Sequence, residues 1–426
     1  MWFLIHLAPT CYFGDCGELL TAILTHGVPH PTGFPLYLLL TTIVSGFHSG
    51  AFGINAVSAL SSALSLILFL KIAEKLTGDP FRKPSLELRL GWAVIFLSSA
   101  TLLLHSSVAR VYPLNLTLLL GVLTWSLFFP PRDVRALMGL GFLIGLAAST
   151  HTLFLVALPF LVIQFWGFRK NPLKHWIALA FGFVIGVSLY LWIPLLAHRH
   201  PTIDWGNPET FGAFLAYLTQ KSYHAKMDSR DLEGSLLFLR ACGRWIADEW
   251  PFYLWFLALP GWIYFFRFRR KTFWAAAGLI YANLLILYAY GSEADLAIGY
   301  RYFLPLYFGL ALGMAAGLRL LFEKVNAKKF QLSVLILLAA GCFFFQRPRG
   351  DLAHSTASYD YALNLLKPLP RGAFLLVQGD NQVFPLAYTV LAKHLRPDIH
   401  CIEANGLIFS KAKREWAENP EQRLEG

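Results

Sequence analysis

Thirty-three consecutive residues, Ala136 to Phe168, contain no Asp, Glu, Lys or Arg, and eight more such apolar runs follow the chain at 53 to 70, 90 to 109, 112 to 131, 175 to 198, 251 to 266, 272 to 292, 302 to 318 and 330 to 346. A helix needs roughly 20 residues, range 17–25, to cross a bilayer, so runs of this length and number demand lipid. Composition agrees: 56% of the 426 residues are hydrophobic and 14% charged, against roughly 45–50% and about 25% in soluble domains. Disorder, collagen, coiled coil and a cytosolic enzyme are excluded. The run from Ala136 to Phe168 is too long for one upright crossing and has basic residues at both ends, so it reads as a hairpin turning near Ser149-Thr150-His151. The apolar stretch before Asp15 is about 21 Å long as a helix, at roughly 1.5 Å per residue. It reads as a shortened first span, since no basic segment precedes it and no small-residue cleavage site follows, as a signal peptide would require. The expected count is then about eleven spans.

The net charge of +11 would suggest nucleic acid in a soluble chain. Sorted by loop, it is an orientation signal instead. One side receives Lys71, Lys75, Arg82, Lys83, Arg89, Arg132, Arg135, Arg169, Lys170, Lys174, Arg267, Arg269, Arg270, Lys271, Lys324, Lys328 and Lys329, and the short loops opposite hold only Arg110 and Arg301. Basic residues favour the cytoplasmic side. The segment 14 to 35, the long loop 199 to 250, the loop 291 to 301 and everything after 347 are therefore expected outside. The chain divides into a transmembrane domain, 1 to 346, and a tail, 347 to 426, where charges return. Within the tail, Gly372 to Asp380, Val383 to His394 and Ile399 to Glu403 read as strand, helix and strand, a small α/β segment. Five cysteines, at 11, 16, 242, 342 and 401, have no metal-ligand or redox spacing, and their odd number opposes a disulfide framework.

Candidate chemistry lies in the outer loops. Asp15 and Glu18, at i and i+3, share a face if helical. Carboxylates at the mouth of a membrane bundle suit proton abstraction; solvated loop acids are the alternative. His30-Pro-Thr-Gly-Phe-Pro35 is a constrained turn. Asp204 and Trp205, in a Pro/Gly frame, pair an acceptor with an aromatic face, as sugar binding requires, or mark an interfacial Trp. Arg301 and Arg110 stand against the charge bias, as phosphate ligands or headgroup anchors. His151, alone in the hairpin turn, fits a structural histidine. No His/Asp cluster has metal-ligand spacing, so metal independence is the expectation.

Asp15-Cys-Gly-Glu18-Leu, His30-Pro-Thr-Gly-Phe-Pro-Leu-Tyr37, Asn55-Ala-Val-Ser-Ala59, Gly145-Leu-Ala-Ala-Ser-Thr-His151, Ile203-Asp-Trp-Gly-Asn-Pro-Glu-Thr210 with Tyr223, Arg301-Tyr-Phe-Leu-Pro305 and Gly379-Asp-Asn-Gln-Val-Phe-Pro-Leu386 occur in this order. Together they resemble a family of multi-spanning proteins, long a domain of unknown function, grouped with the GT-C glycosyltransferases and related to protein O-mannosyltransferases of the eukaryotic endoplasmic reticulum. Arg110 stands where the family tends to have Glu, Thr32 replaces a Pro, and the stretch before Asp15 is shorter than the family's first span. The resemblance implies an all-α polytopic GT-C-like bundle. It also implies inverting transfer of mannose or another hexose from a polyprenyl-phosphate lipid to a hydroxyl, such as protein Ser/Thr, on the non-cytoplasmic side of a bacterial inner membrane or the endoplasmic reticulum. Asp15 is then the catalytic base with Glu18 beside it, Arg301 and then Arg110 hold the donor phosphate, and His30, His151, Asp204, Trp205 and Tyr223 contact acceptor or sugar. The donor is a substrate, so no cofactor is expected; the partners are membrane lipid and an exported polypeptide, with no nucleic acid. A transporter is the rival reading, but transporters carry ionisable groups near the midplane, whereas the spans here are nearly bare.

Overall fold

The computed structural model describes residues 2–48, 50–78, 83–129, 133–166, 169–226, 230–290, 296–325, 327–403 and 405–411. Arg82 and Arg132 of the basic side, the last two residues of the long apolar run, residues 291–295 of the outer loop and the tail beyond 411 lie outside these.

Among the described residues, five helices are long and apolar enough to cross a membrane: Ala51–Thr77, Leu173–Ala197, Arg270–Ala289, Gly299–Lys324 and Lys328–Phe345. A sixth is broken, Leu86–Leu97 and Ala100–Ser106 meeting at 73°. Five shorter apolar helices pack among them: Pro35–Phe47, Tyr112–Phe128, Val134–Ala148, Thr152–Phe165 and Phe252–Phe268. The turn expected at Ser149 to His151 separates Val134–Ala148 from Thr152–Phe165. The first expected span does not form: before Asp15 the described chain makes one four-residue helix, Trp2–Ile5. Pro35–Phe47 is a helix the charge-free runs did not single out. Pro35 at its first position supplies a preset φ and lacks an N–H that would go unpaired there.

Small residues let the helices approach. Gly141 and Gly145 face Gly182 and Gly186, and a Cβ on any of the four would strike backbone of the opposite helix. In lipid, such small-xxx-small faces supply close packing that the hydrophobic effect cannot. The break at 98–99 has its own support. Buried Glu249 accepts hydrogen bonds from Ser99 Oγ, from the Thr101 amide at 3.3 Å and from Thr101 Oγ1 at 2.6 Å. It thereby satisfies donors that the bend frees.

The tail holds helix Ala357–Leu366, helix Asp380–Ala387 and three short parallel strands, β1 (Phe374–Val377), β2 (His400–Glu403) and β3 (Ser410–Lys411), in the order β1-β2-β3. The helix Lys328–Gly350 runs across the 346/347 division read from composition. Val377, Val383, Phe384, Leu386 and Ile399 form a separate apolar core that also takes in Ile203 from the outer loop. Helix Asp380–Ala387 lies on helix Cys16–Leu24 so closely that a Cβ at Gly17 would strike the Phe384 carbonyl. The tail is thus seated on the loop that carries Asp15.

Candidate active site

Asp15 immediately precedes helix Cys16–Leu24, and its Oδ2 lies 2.9 Å from Arg110 Nη1 and 3.0 Å from Arg301 Nη1. Arg110 is fixed further by donating from Nη2 to the Phe13 carbonyl at 2.6 Å, while its backbone amide donates to Ser58 Oγ at 3.1 Å. Arg301 lies against two aromatic faces, 5.1 Å from the Tyr302 centroid and 5.9 Å from that of Tyr112. Burial by itself would raise the Asp15 carboxyl, but the Arg301 and then the Arg110 guanidinium more than offset it and hold Asp15 well below the usual carboxylate range.

Glu18, one turn along and fully buried, faces His30 instead. The His30 amide donates to Glu18 Oε1 at 2.5 Å, and His30 Nδ1 is 2.6 Å from Glu18 Oε2. Burial would lower the His30 pKa, yet the charge of Glu18 and the hydrogen bond to it outweigh burial and raise it. The buried Glu18 side chain thus favours the protonated form of the His30 imidazole against it. The surrounding turn is fastened to the outer loop. Val28 donates to the Ile203 carbonyl at 2.8 Å, Trp205 donates to the Val28 carbonyl at 3.1 Å, and Tyr217 Oη donates to the Pro29 carbonyl at 2.5 Å. His30 makes edge contacts with Phe34 and Trp205, at 4.9 and 6.0 Å between centroids. His151 stacks on Phe34 at 5.6 Å and accepts a hydrogen bond at Nδ1 from the Leu153 amide at 2.9 Å. Burial, with His30 and Arg301 nearby, pushes it down to about 3, so it is neutral with its proton on Nε2.

These groups border one cavity of about 860 Å³. Asp15, His30, His151, Trp205, Tyr223 and Arg301 line it. Glu18, Arg110 and Asp204 do not. Glu18 stands behind His30, Arg110 behind Asp15, and Asp204 spends its backbone on the bridge to Val28, its carboxyl pushed up to about 6 by burial and then by Glu209. Among the lining residues given no role from the sequence are Arg230, Tyr302 and Asp380. Arg230 and Arg301 are the arginines of the lining, and Arg230 Nε donates to the Tyr288 carbonyl at 3.2 Å. No spacing rule marks Arg230, whereas Tyr302 and Asp380 each lie in one of the motifs quoted above. Among the described residues no group of three or more His, Cys, Asp or Glu could hold a metal ion, and all five cysteines are free.

The arrangement brings the Asp15 carboxylate, the Arg301 guanidinium on its aromatic faces and several ring systems to the end of the bundle where helices 16–24, 112–128, 152–165 and 299–324 begin. A guanidinium there can take two phosphate oxygens, aromatic faces can cover a sugar ring, and a carboxylate can receive a hydroxyl proton.

Residues 15–174 match the family model described as the protein O-mannosyl-transferase TMEM260 N-terminal domain. The chain is 23% identical over 95% of its length to protein O-mannosyl-transferase TMEM260 of Mus musculus, and 23% identical over 92% of its length to the Dictyostelium discoideum protein of that name. It spans 60% and 54% of those relatives' own lengths. Among solved structures, ArnT from Cupriavidus metallidurans bound to undecaprenyl phosphate superposes with a TM-score of 0.62 at 14% identity, covering 99% of this chain and 86% of that one. The apo form of ArnT gives 0.59 at 15% identity, covering 96% and 87%. The family resemblance read from the motifs is borne out over residues 15–174, which match the TMEM260 N-terminal domain model, and the fold of the chain is like that of ArnT.

Proposed function

We propose that the protein is a membrane glycosyltransferase that moves a hexose, mannose by analogy with the O-mannosyl-transferase relatives, from a polyprenyl-phosphate donor to a serine or threonine hydroxyl on the non-cytoplasmic side. The observation that carries the reading is Arg301: a largely enclosed guanidinium on the cavity wall, at the end of a span, paired with the Asp15 carboxylate. Its likeness in fold to an ArnT bound to undecaprenyl phosphate supports a lipid phosphate in that place. Arg230 faces the same cavity and can share the phosphate charge.

In this reading the acceptor oxygen attacks the anomeric carbon with inversion, the bond from that carbon to the phosphate oxygen breaks, and the electron pair leaves with the lipid phosphate. The acceptor proton goes to Asp15. Held by two guanidiniums, Asp15 is a poor base. A donor phosphate that draws Arg301 away removes the larger of the two charges lowering its pKa, so proton affinity rises once donor is bound. General-base assistance supplies roughly 10²–10⁴-fold; guanidinium stabilisation of the departing phosphate is the other electrostatic contribution. His30, neutral His151 and Trp205 shape the sugar and acceptor space, and Glu18 acts through His30.

Purified protein, a polyprenyl-phosphate hexose and a serine/threonine peptide test the reading directly. A peptide mass increased by one hexose is the expected result; donor intact, with no modified peptide in wild type under any condition that preserves the fold, would refute it.

A further inference from the structure

We propose that Asp380, delivered by the tail to the cavity wall beside Asp15, contacts the polypeptide acceptor, taking hydrogen bonds from its N–H and O–H groups and favouring neutral or cationic over acidic sequence around the modified residue. This rests on the glycosyl-transfer reading and names a determinant of its acceptor.

Among the described residues two carboxylates line the cavity, Asp15 and Asp380. Asp15 is occupied by two guanidiniums. The Asp380 carboxylate makes no hydrogen bond or ion pair with the described residues, and the residue is exposed. Its place is nevertheless fixed. Gly379 turns the chain at φ +83°, a left-handed conformation suited to glycine, and the next residue, Asn381, accepts a hydrogen bond at Oδ1 from the Gly14 amide at 3.0 Å. The loop holding Asp15 and the helix beginning at Asp380 are thus tied one residue away from each carboxylate. Close packing of Gly17 against the Phe384 carbonyl holds the same helix from its other end.

The side of approach selects the acceptor and not the donor. A donor lipid enters from between the spans and its phosphate meets Arg301 at the start of one of them. Asp380 belongs to the tail, whose apolar core lies apart from the bundle and whose helix covers the outer loop. A free carboxylate on that wall meets what comes from solvent. Though exposed, Asp380 is partly desolvated by the cavity wall, and this, followed by the charges of Asp15 and Glu18, raises its pKa, so an incoming donor group or cation relieves an unfavourable field, while an acidic residue adds to it.

Three peptides that differ only in having Lys, Gln or Glu next to the serine or threonine test this against wild type, Asp380→Asn and Asp380→Lys. Wild type should show acceptor KM rising in the order Lys, Gln, Glu by roughly two- to fivefold per step, the scale of partly exposed charge pairs. Asp380→Asn should flatten the order and Asp380→Lys should reverse it, with the donor KM unchanged. A merely structural Asp380 would alter kcat or expression without reversing a charge preference. Direct binding of the labelled peptides without donor should give the same order. The wild-type order retained in a folded Asp380→Lys protein that binds donor normally would overturn the proposal. Wild type that binds the peptides in the stated order yet transfers nothing would overturn the transferase reading and not the contact.

Discussion

Asp15 Oδ2 and Arg301 Nη1, 286 residues apart in the chain, are 3.0 Å apart in the fold. The pair joins the first loop to the start of the helix Gly299–Lys324, and it makes the loop's acid and the span's cation one object. Substitution of either is felt by both.

Asp15→Asn is expected to abolish transfer to below about a tenth of wild type, the low end of what a general base contributes. It also leaves Arg301 and Arg110 facing each other without a counter-charge, a loss on the order of 3–5 kcal/mol for a buried pair. An anion can take the vacant place. Polyprenyl phosphate should therefore raise the thermal midpoint of Asp15→Asn by more than that of wild type, in scans of the detergent-solubilised proteins. Equal shifts would separate Asp15 from the phosphate site.

Arg301→Ala should weaken donor binding roughly tenfold to a hundredfold, as loss of a charge-assisted hydrogen bond implies. Arg301→Lys should fall between, since an ammonium is a point charge that cannot hold two oxygens and stacks less well on Tyr302. Titration of donor against the three proteins decides it, and equal donor affinity in wild type and Arg301→Ala removes Arg301 from the role. Arg110→Ala, whose side chain lies behind Asp15, should affect stability more than donor affinity.

The His30–Glu18 pair gives a pH dependence of definite sign. His30 is raised in the fold, so its stabilisation is complete below its ordinary value of about 6.5 and is lost as pH rises through the raised value. Asp15 is lowered and works in the other direction, its contribution present above about 4 and lost as pH falls further. Thermal unfolding followed upward from about pH 6 should show falling stability in wild type and a flatter profile in Glu18→Gln. Parallel profiles would mean that the imidazole does not carry its charge on Glu18.

Glu249→Ala should destabilise the protein by about 1–3 kcal/mol for each donor left unsatisfied at the 98–99 break. Glu249→Gln, which keeps the shape and an acceptor oxygen, should recover part of this. Proteolysis within 98–107 in the Ala variant alone is the expected readout; indistinguishable digestion patterns would show that the bend holds without Glu249.

Reporter fusions after Lys271 should lie in the cytoplasm and fusions after Gly350 outside, because the basic loops collect at one end of the bundle and Asp15, His30, Arg301 and the tail at the other. A cytoplasmic reporter after Gly350 would move the cavity to the wrong side for an exported acceptor.

What the sequence determined by itself follows from local and periodic properties. Uninterrupted apolar runs require lipid whatever their partners are, so the polytopic class and the turn at Ser149 to His151 were legible. Basic residues sort by loop, so an orientation could be read. Short motifs in a recognisable order carried the family resemblance, and with it Asp15, His30 and Arg301 as candidate site residues, which the fold places on one cavity. What a side chain faces is decided by chain segments hundreds of residues away, and there only the tertiary structure spoke. Asp15 and Glu18 looked like one acidic pair at i and i+3, but one turn of helix points the first at Arg301 and the second at His30. Arg110 and Arg301 were both read as outer cations for the donor phosphate, Arg301 first and Arg110 second, yet Arg110 is enclosed behind Asp15 and, among the described residues, the second arginine on the cavity wall is Arg230. The stretch before Asp15 is apolar enough for a span, but the described residues there form a single helical turn, while the helix Pro35–Phe47 lies in a stretch that the charge-free runs did not single out. Asp380 could enter the site only because Gly14 and Asn381 meet, a contact across 367 residues that no pattern in the chain encodes: periodicity reports the face of one element, and a site is made where faces of several elements converge.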